Sequence, residues 1–213
     1  MIDIFEFWSR IKRGEHVHPA DRDVFSRINA KRHGFRLDCL PTAFRGRLPD
    51  APVVLLYLSP GFRESDVDHA KTEEGKDYYL RVWQGREALW DPEISGSDWF
   101  ASRTKIFGNY EEVANKIAVL NIGAYHSKGV KDYASLLALP SSRVSLEWAQ
   151  SILFPEAEAG KRIVICMRSA AYWGLERGRR YKNGLLAPPV TRGGYLPKSN
   201  NTSRLVKFVK ARL

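Results

Sequence analysis

Three short runs constrain this chain more than anything else in it: VVLLYL at 53–58, IAVLNIGA at 117–124 and RIVICM at 162–167. Short, almost wholly apolar strands separated by helical patterns describe a parallel sheet covered on both faces. The expectation is an α/β fold, a three-layer αβα sandwich around a central, mostly parallel four-stranded sheet. A brief extended piece near 185–190 supplies the last strand. Helices are expected over 3–13, where Asp3 can cap and Phe5, Trp8 and Ile11 recur at helical spacing, and from Pro19. Others are expected over 104–115, over 143–153 behind Ser142, briefly after Ser169, and over 202–212 behind Asn201 or Thr202. Segment 37–51 reads as a loop and 76–90 as mixed helix and loop. With no repeat, low-complexity tract or long linker in 213 residues, residues 1–213 are expected to form one domain, with 1–45 as a helical extension packed on it.

No apolar run approaches the roughly 18–20 residues that a membrane span needs, and the amphipathic start MIDIFEFWSRIKRG lacks the form of a signal peptide. Cys39 and Cys166 form no Cys-x-x-Cys pair and suit a reducing compartment. A cytoplasmic, nucleoid-associated monomer is the expectation. Charge is uneven. From Lys161 to Leu213 there are 13 Lys or Arg against a single acid, Glu176, a net of +12 in a chain of net +10. A bias of this kind favours a polyanion, nucleic acid first; the alternative is a solvated basic surface. The five scattered histidines and two cysteines supply neither a metal-site pattern nor a four-thiolate cluster. No Walker loop, His-Glu-x-x-His, Gly-x-Ser-x-Gly or Gly-x-Gly-x-x-Gly occurs. Neither metal nor cofactor is expected.

Ligands in such a fold collect at the carboxyl ends of the strands. Those ends read Ser59-Pro60-Gly61-Phe62, Asn121-Ile-Gly-Ala-Tyr125-His126-Ser127-Lys128 and Met167-Arg168-Ser169-Ala170, and together they are expected to rim one crevice. Pro60 and Gly61 shape a stiff loop that can present backbone amides, with Phe62 as a stacking ring; the alternative is a plain strand-to-helix turn, with Asp66 as its cap. The Asn121 amide offers both donor and acceptor and suits a base edge, and otherwise forms a turn. His126 is either a reactive group or a satisfied structural histidine. A third loop, Leu196-Pro-Lys198-Ser199-Asn200-Asn201-Thr-Ser-Arg204, places small polar residues at a helix start, which favours phosphate, or is an ordinary capping cluster.

Read as a set, these loops resemble the uracil-DNA glycosylase superfamily. Tyr57-Leu-Ser59-Pro-Gly61 is similar to its first motif, Gly-x-Asn-Pro-Gly after an apolar strand. Residues 196–204 resemble its second motif, a Pro/Ser-rich loop before a C-terminal helix. Asn121 stands where some branches read the flipped base. The likeness covers about residues 50–213. It implies a cofactor-free DNA glycosylase that takes a base out of the stack and hydrolyses its N-glycosidic bond. It implies Ser59, Asp66 and His126 as catalytic residues, and Tyr57, Gly61, Phe62, Asn121 and Tyr125 around the base. Lys128, Arg168, Leu196, Lys198, Ser199, Asn200, Asn201 and Arg204 are then left to hold DNA, with Leu196 filling the vacated stack. Ser59 replaces the family's Asp, Asn or Glu, Tyr57 replaces a glycine, and the second motif lacks its histidine. An altered pocket of this kind suits an unusual base, such as one modified on viral DNA. Two other readings stay open: a non-catalytic nucleic-acid-binding module, and an enzyme acting on free nucleotides.

Overall fold

The computed structural model describes residues 3–86 and 96–213. Expectations at 87–90 lie outside the described residues. The fold is α/β, with six described strands: β1 (Phe44–Arg45), β2 (Val53–Tyr57), β3 (Ile117–Asn121), β4 (Ile163–Cys166), β5 (Arg180–Tyr181) and β6 (Leu185–Leu186), in the sheet order β1-β3-β2-β4-β6-β5. The chain divides into two compact units. Met1–Arg45, Leu58–Glu87 and Asn121–Ala149 make the first; Gly46–Tyr57, Ala88–Leu120 and Gln150–Leu213 make the second.

In the second unit, β2 and β4 run parallel from Val53↔Ile163 to Leu56↔Cys166, and β6 runs parallel to β4. The short β5 is antiparallel to β6, so the sheet is mixed and has six strands where four mostly parallel ones were expected. Two-residue strands have no periodicity for a sequence pattern to reveal. The β5–β6 turn needs Gly184, because a Cβ there would sit 2.3 Å from the Arg162 carbonyl oxygen. Alternate strand residues, Val53, Leu55 and Tyr57 with Ile163, Ile165 and Met167, share one buried cluster with Phe100, Val113 and Val209. Those partners come from helices Ser97–Thr104, Tyr110–Ala114 and Asn200–Lys210. The expected 104–115 helix is thus reduced to Tyr110–Ala114, started by the capping box of Asn109 with Glu112, and Thr104 instead ends the preceding helix. Helix Asn200–Lys210 begins two residues earlier than expected, because Ser199 accepts the Thr202 amide. From β2 the chain proceeds to β3 on one side and later to β4 on the other, which makes the carboxyl ends of β2 and β4 a topological switch point.

In the first unit, Asp3 caps helix Ile4–Trp8 as expected, but that helix stops five residues short of 13. Trp8 and Trp83 are fully buried. Asp21, inaccessible to solvent, accepts from the Tyr125 hydroxyl at 2.6 Å and from the Ser141 amide at 2.9 Å. Residues 1–45 therefore supply interior groups to this unit. The 143–153 helix appears as Pro140–Trp148, with Pro140 in its first turn, continued by a π-helical turn over Ala149–Leu153.

Candidate functional site

The first unit brings two of the sequence-predicted loops together. The Gly123 amide donates to Leu58 O (2.8 Å), the Ser127 amide to Pro60 O (3.3 Å), and His126 Nδ1 to Gly61 O (2.7 Å). These bonds join the stretch after β2, with Ser59, Gly61 and Phe62, to the stretch that leaves β3 at its last residue, Asn121, and carries His126 and Lys128. Ser59 is half-buried, and its hydroxyl bonds to none of the described residues. Gly61 has no positive φ, and a Cβ there would meet nothing within 4 Å, so open space adjoins the backbone at this point of the loop. Phe62 is half-buried and carries Arg36 at 3.9 Å and Lys128 at 5.6 Å from its ring centre.

Asn121 is 4 % exposed. Its Nδ2 donates to Thr42 O at 2.9 Å, and its Oδ1 accepts no hydrogen bond from the described residues. His126, at 3 %, has both nitrogens engaged. Because only a donor suits the Gly61 carbonyl, Nδ1 carries a proton; Asp66 Oδ2 lies 3.3 Å from the same nitrogen. Nε2 lies 3.1 Å from Thr42 Oγ1, which is 3.2 Å from the Tyr79 hydroxyl, and the buried Arg45 guanidinium donates to that hydroxyl. Asp66 Oδ2 also accepts the Arg63 amide at 2.7 Å, at the start of helix Glu64–Lys71. In this arrangement His126 and Asp66 hold the Ser59–Phe62 loop; neither presents a free atom of its bonding edge to a departing base.

Tyr125 is a correction. It is 1 % exposed, turned inward beside Asp21, and its hydroxyl accepts the His18 amide at 3.1 Å. Burial, reinforced by the Asp21 charge, pushes its hydroxyl well above the usual tyrosine range. Enclosed in this way, with its hydroxyl committed to Asp21 and His18, it does not face a base pocket.

The second unit holds the other candidates. Lys198, Ser199, Asn200, Asn201 and Arg204 are exposed around the start of helix Asn200–Lys210. Ser199, Asn201 and Arg204 line a groove of about 360 Å³ together with Arg179, Arg180 and Phe208. Arg180 stacks 4.6 Å over Phe208. Helix-start amides and three guanidiniums form a surface suited to phosphates. Leu196 is half-buried and packs against the buried cluster of this unit, so part of its side chain is committed to the fold. Tyr57 is 4 % exposed in the same cluster, and Arg168, exposed at the end of β4, donates to Arg192 O at 2.9 Å.

Sequence reasoning did not find Thr42, Arg45 and Tyr79, nor Arg103. Thr42 meets His126 across 84 positions, and no local pattern marks such a pair. Among the described residues no group of three His, Cys, Asp or Glu is placed to hold a metal ion, and no helix is long and apolar enough to cross a membrane. Comparison with protein-family models, with curated proteins and with solved structures finds no match to this chain.

Proposed function

We propose that this protein is a DNA glycosylase, a divergent member of the uracil-DNA glycosylase superfamily, that flips a modified base out of DNA and hydrolyses its N-glycosidic bond. The observation that carries this reading is the lacing of the Ser59–Phe62 loop to the Asn121–Lys128 loop at strand carboxyl ends. It gathers an uncommitted hydroxyl, an uncommitted amide oxygen and an aromatic ring flanked by two cations. Asn121 Oδ1 accepts from the base edge, while its Nδ2 bond to Thr42 O fixes the amide in one orientation. The Ser59 hydroxyl orients a water toward C1′ of the sugar. The water oxygen bonds to C1′, the carbon–nitrogen bond breaks, its electron pair leaves with the base, and the water proton passes to solvent. His126 and Asp66 are positioning residues that hold the Gly61 carbonyl and the loop. Phe62, with Arg36 and Lys128, contacts the strand by stacking and charge. The basic groove of Ser199, Asn201 and Arg204 takes backbone phosphates, as its exposed cations favour.

A second reading, a nucleic-acid-binding module without catalysis, is favoured by one observation. The Asp66 carboxylate is committed to the Arg63 amide and to His126, and Ser59 has no ionisable base bonded to it. One experiment separates the two. Single- and double-stranded DNAs with normal and hypermodified bases are incubated with the protein, then treated with alkali, and released bases are identified by mass spectrometry. Release of a defined base with alkali-sensitive breaks supports the glycosylase. Tight, salt-sensitive binding without release from any DNA of the panel leaves the binding module.

A further inference from the structure

The second unit contains polar groups that base excision does not use. Tyr57 ends β2, and its hydroxyl is buried without a hydrogen-bond partner among the described residues. Such a group is a standing cost to a fold unless something meets it. Its ring packs edge-on to Trp99 at 4.9 Å. The Tyr57 ring edge and the Arg168 side chain both come within 3.5 Å of the place a Cβ on Gly194 would occupy, and Gly194, at φ +75°, has none. Arg103 lies 3.7 Å over the Tyr195 ring and 5.7 Å from that of Trp99.

Neither guanidinium has a carboxylate partner among the described residues. Arg103 donates to Ser102 Oγ and Gly193 O, and its Nε is buried with no acceptor. Arg168 donates to Arg192 O. No described carboxylate offsets either charge. The charge registers on the neighbours. Burial drives the Tyr57 hydroxyl upward while Arg103 and Arg168 pull it back. The Tyr195 hydroxyl is held below its usual range by the Ser102 hydrogen bond and then by Arg103. All of this stands at the switch point formed by the ends of β2 and β4, where open α/β sheets bind ligands.

We propose that Tyr57, Arg103 and Arg168 form a binding site for a dianionic phosphate monoester. Two uncompensated guanidiniums match a charge of −2 and present forked donors to tetrahedral oxygens. The Tyr57 O–H gives a third donor that none of the described residues accepts. Tyr195, 41 % exposed, borders the site and offers a ring to whatever the phosphate carries. The carrier is inorganic phosphate, a nucleoside 5′-monophosphate or the 5′-phosphate end of a DNA strand, and the site does not depend on base excision.

The test is calorimetric titration of the full chain with inorganic phosphate, a nucleoside 5′-monophosphate, and short DNA with and without a 5′-phosphate. Saturable binding is expected, and the tightest of the three identifies the carrier. Tyr57→Phe should weaken it about tenfold, the loss of one hydrogen bond to a charged group, and Arg168→Gln by at least as much. Without ligand, Tyr57→Phe should melt at or above the parent temperature, since its hydroxyl has no partner to lose. The proposal is overturned if none of the phosphates binds saturably, if only DNA binds and a 5′-phosphate adds nothing to its affinity, or if Tyr57→Phe binds as tightly as the parent.

Discussion

Replacing Asn121 by alanine tests the base-reading assignment most directly, and the structure separates its effect on stability from its effect on function. The side chain is nearly fully buried and makes one protein hydrogen bond, Nδ2 to Thr42 O at 2.9 Å. Removing it leaves a buried carbonyl unpaired, a cost of about 1–3 kcal/mol. For a chain of this size each kcal/mol lowers the melting temperature by about 2–4 °C, so a drop of roughly 2–12 °C is expected, and the variant remains folded at 25 °C if the parent has ordinary stability. Excision should suffer far more. Loss of a preorganised group at a reacting base costs on the order of 10²–10³ in rate. Affinity for DNA, set mainly by phosphate contacts, should stay within severalfold. Single-turnover release on a cleaved base, measured beside fluorescence-anisotropy binding and a thermal melt, resolves the three quantities. A folded Asn121→Ala variant that excises within about fivefold of the parent rate would falsify the assignment.

Three further outcomes are expected. Lys198→Ala combined with Arg204→Ala should weaken binding to all DNA sequences and flatten the slope of log affinity against log salt by about one unit per lost phosphate contact; an unchanged slope removes residues 198–204 from the interface. Gly123→Ala should destabilise the first unit by about 1–3 kcal/mol by overpacking, because its Cβ would lie 2.2 Å from Cδ1 of the fully buried Leu136; a melting temperature equal to the parent's contradicts this packing. Burial pushes the thiols of Cys39 and Cys166 up to about 12, so a thiol reagent at pH 8 should modify native protein slowly and denatured protein fast; rapid native labelling of either cysteine shows that it is not enclosed as described.

Much of the architecture was legible because it rests on local rules. The apolar runs at 53–58, 117–124 and 162–167 become β2, β3 and β4, each buried along its whole length. The short helix after Ser169 closes at Gly174, whose left-handed conformation an ordinary side chain resists. Positions that depend on local competition moved: Ser199 takes the cap expected of Asn201 or Thr202, and Asn109 starts at 110 a helix expected from 104.

The site was legible only in part. Sequence placed Ser59, Phe62, Asn121 and His126 on strand-end loops, and the loops after β2 and β3 do meet. It did not reveal which way each side chain turns. Tyr125 and His126 are neighbours, yet one is committed to Asp21 and the other to Gly61 O, Thr42 and Asp66. Leu196 looks like a free tip in the sequence and is half-buried against an apolar cluster. A strand's burial is set by its own composition, so a string of residues suffices to announce it. The partner of a buried hydroxyl or imidazole is set by chain segments 65–107 positions away, brought up by packing that favours many apolar contacts at once. For that reason the sequence alone determined the three buried strands β2, β3 and β4, the basic carboxyl-terminal stretch and the position of the strand-end loops, while the short strands β1 and β5 came only with the tertiary structure. Only the tertiary structure decided that His126 is engaged at both nitrogens, that Asn121 keeps one acceptor uncommitted, and that Tyr57 holds an unmet donor beside two arginines.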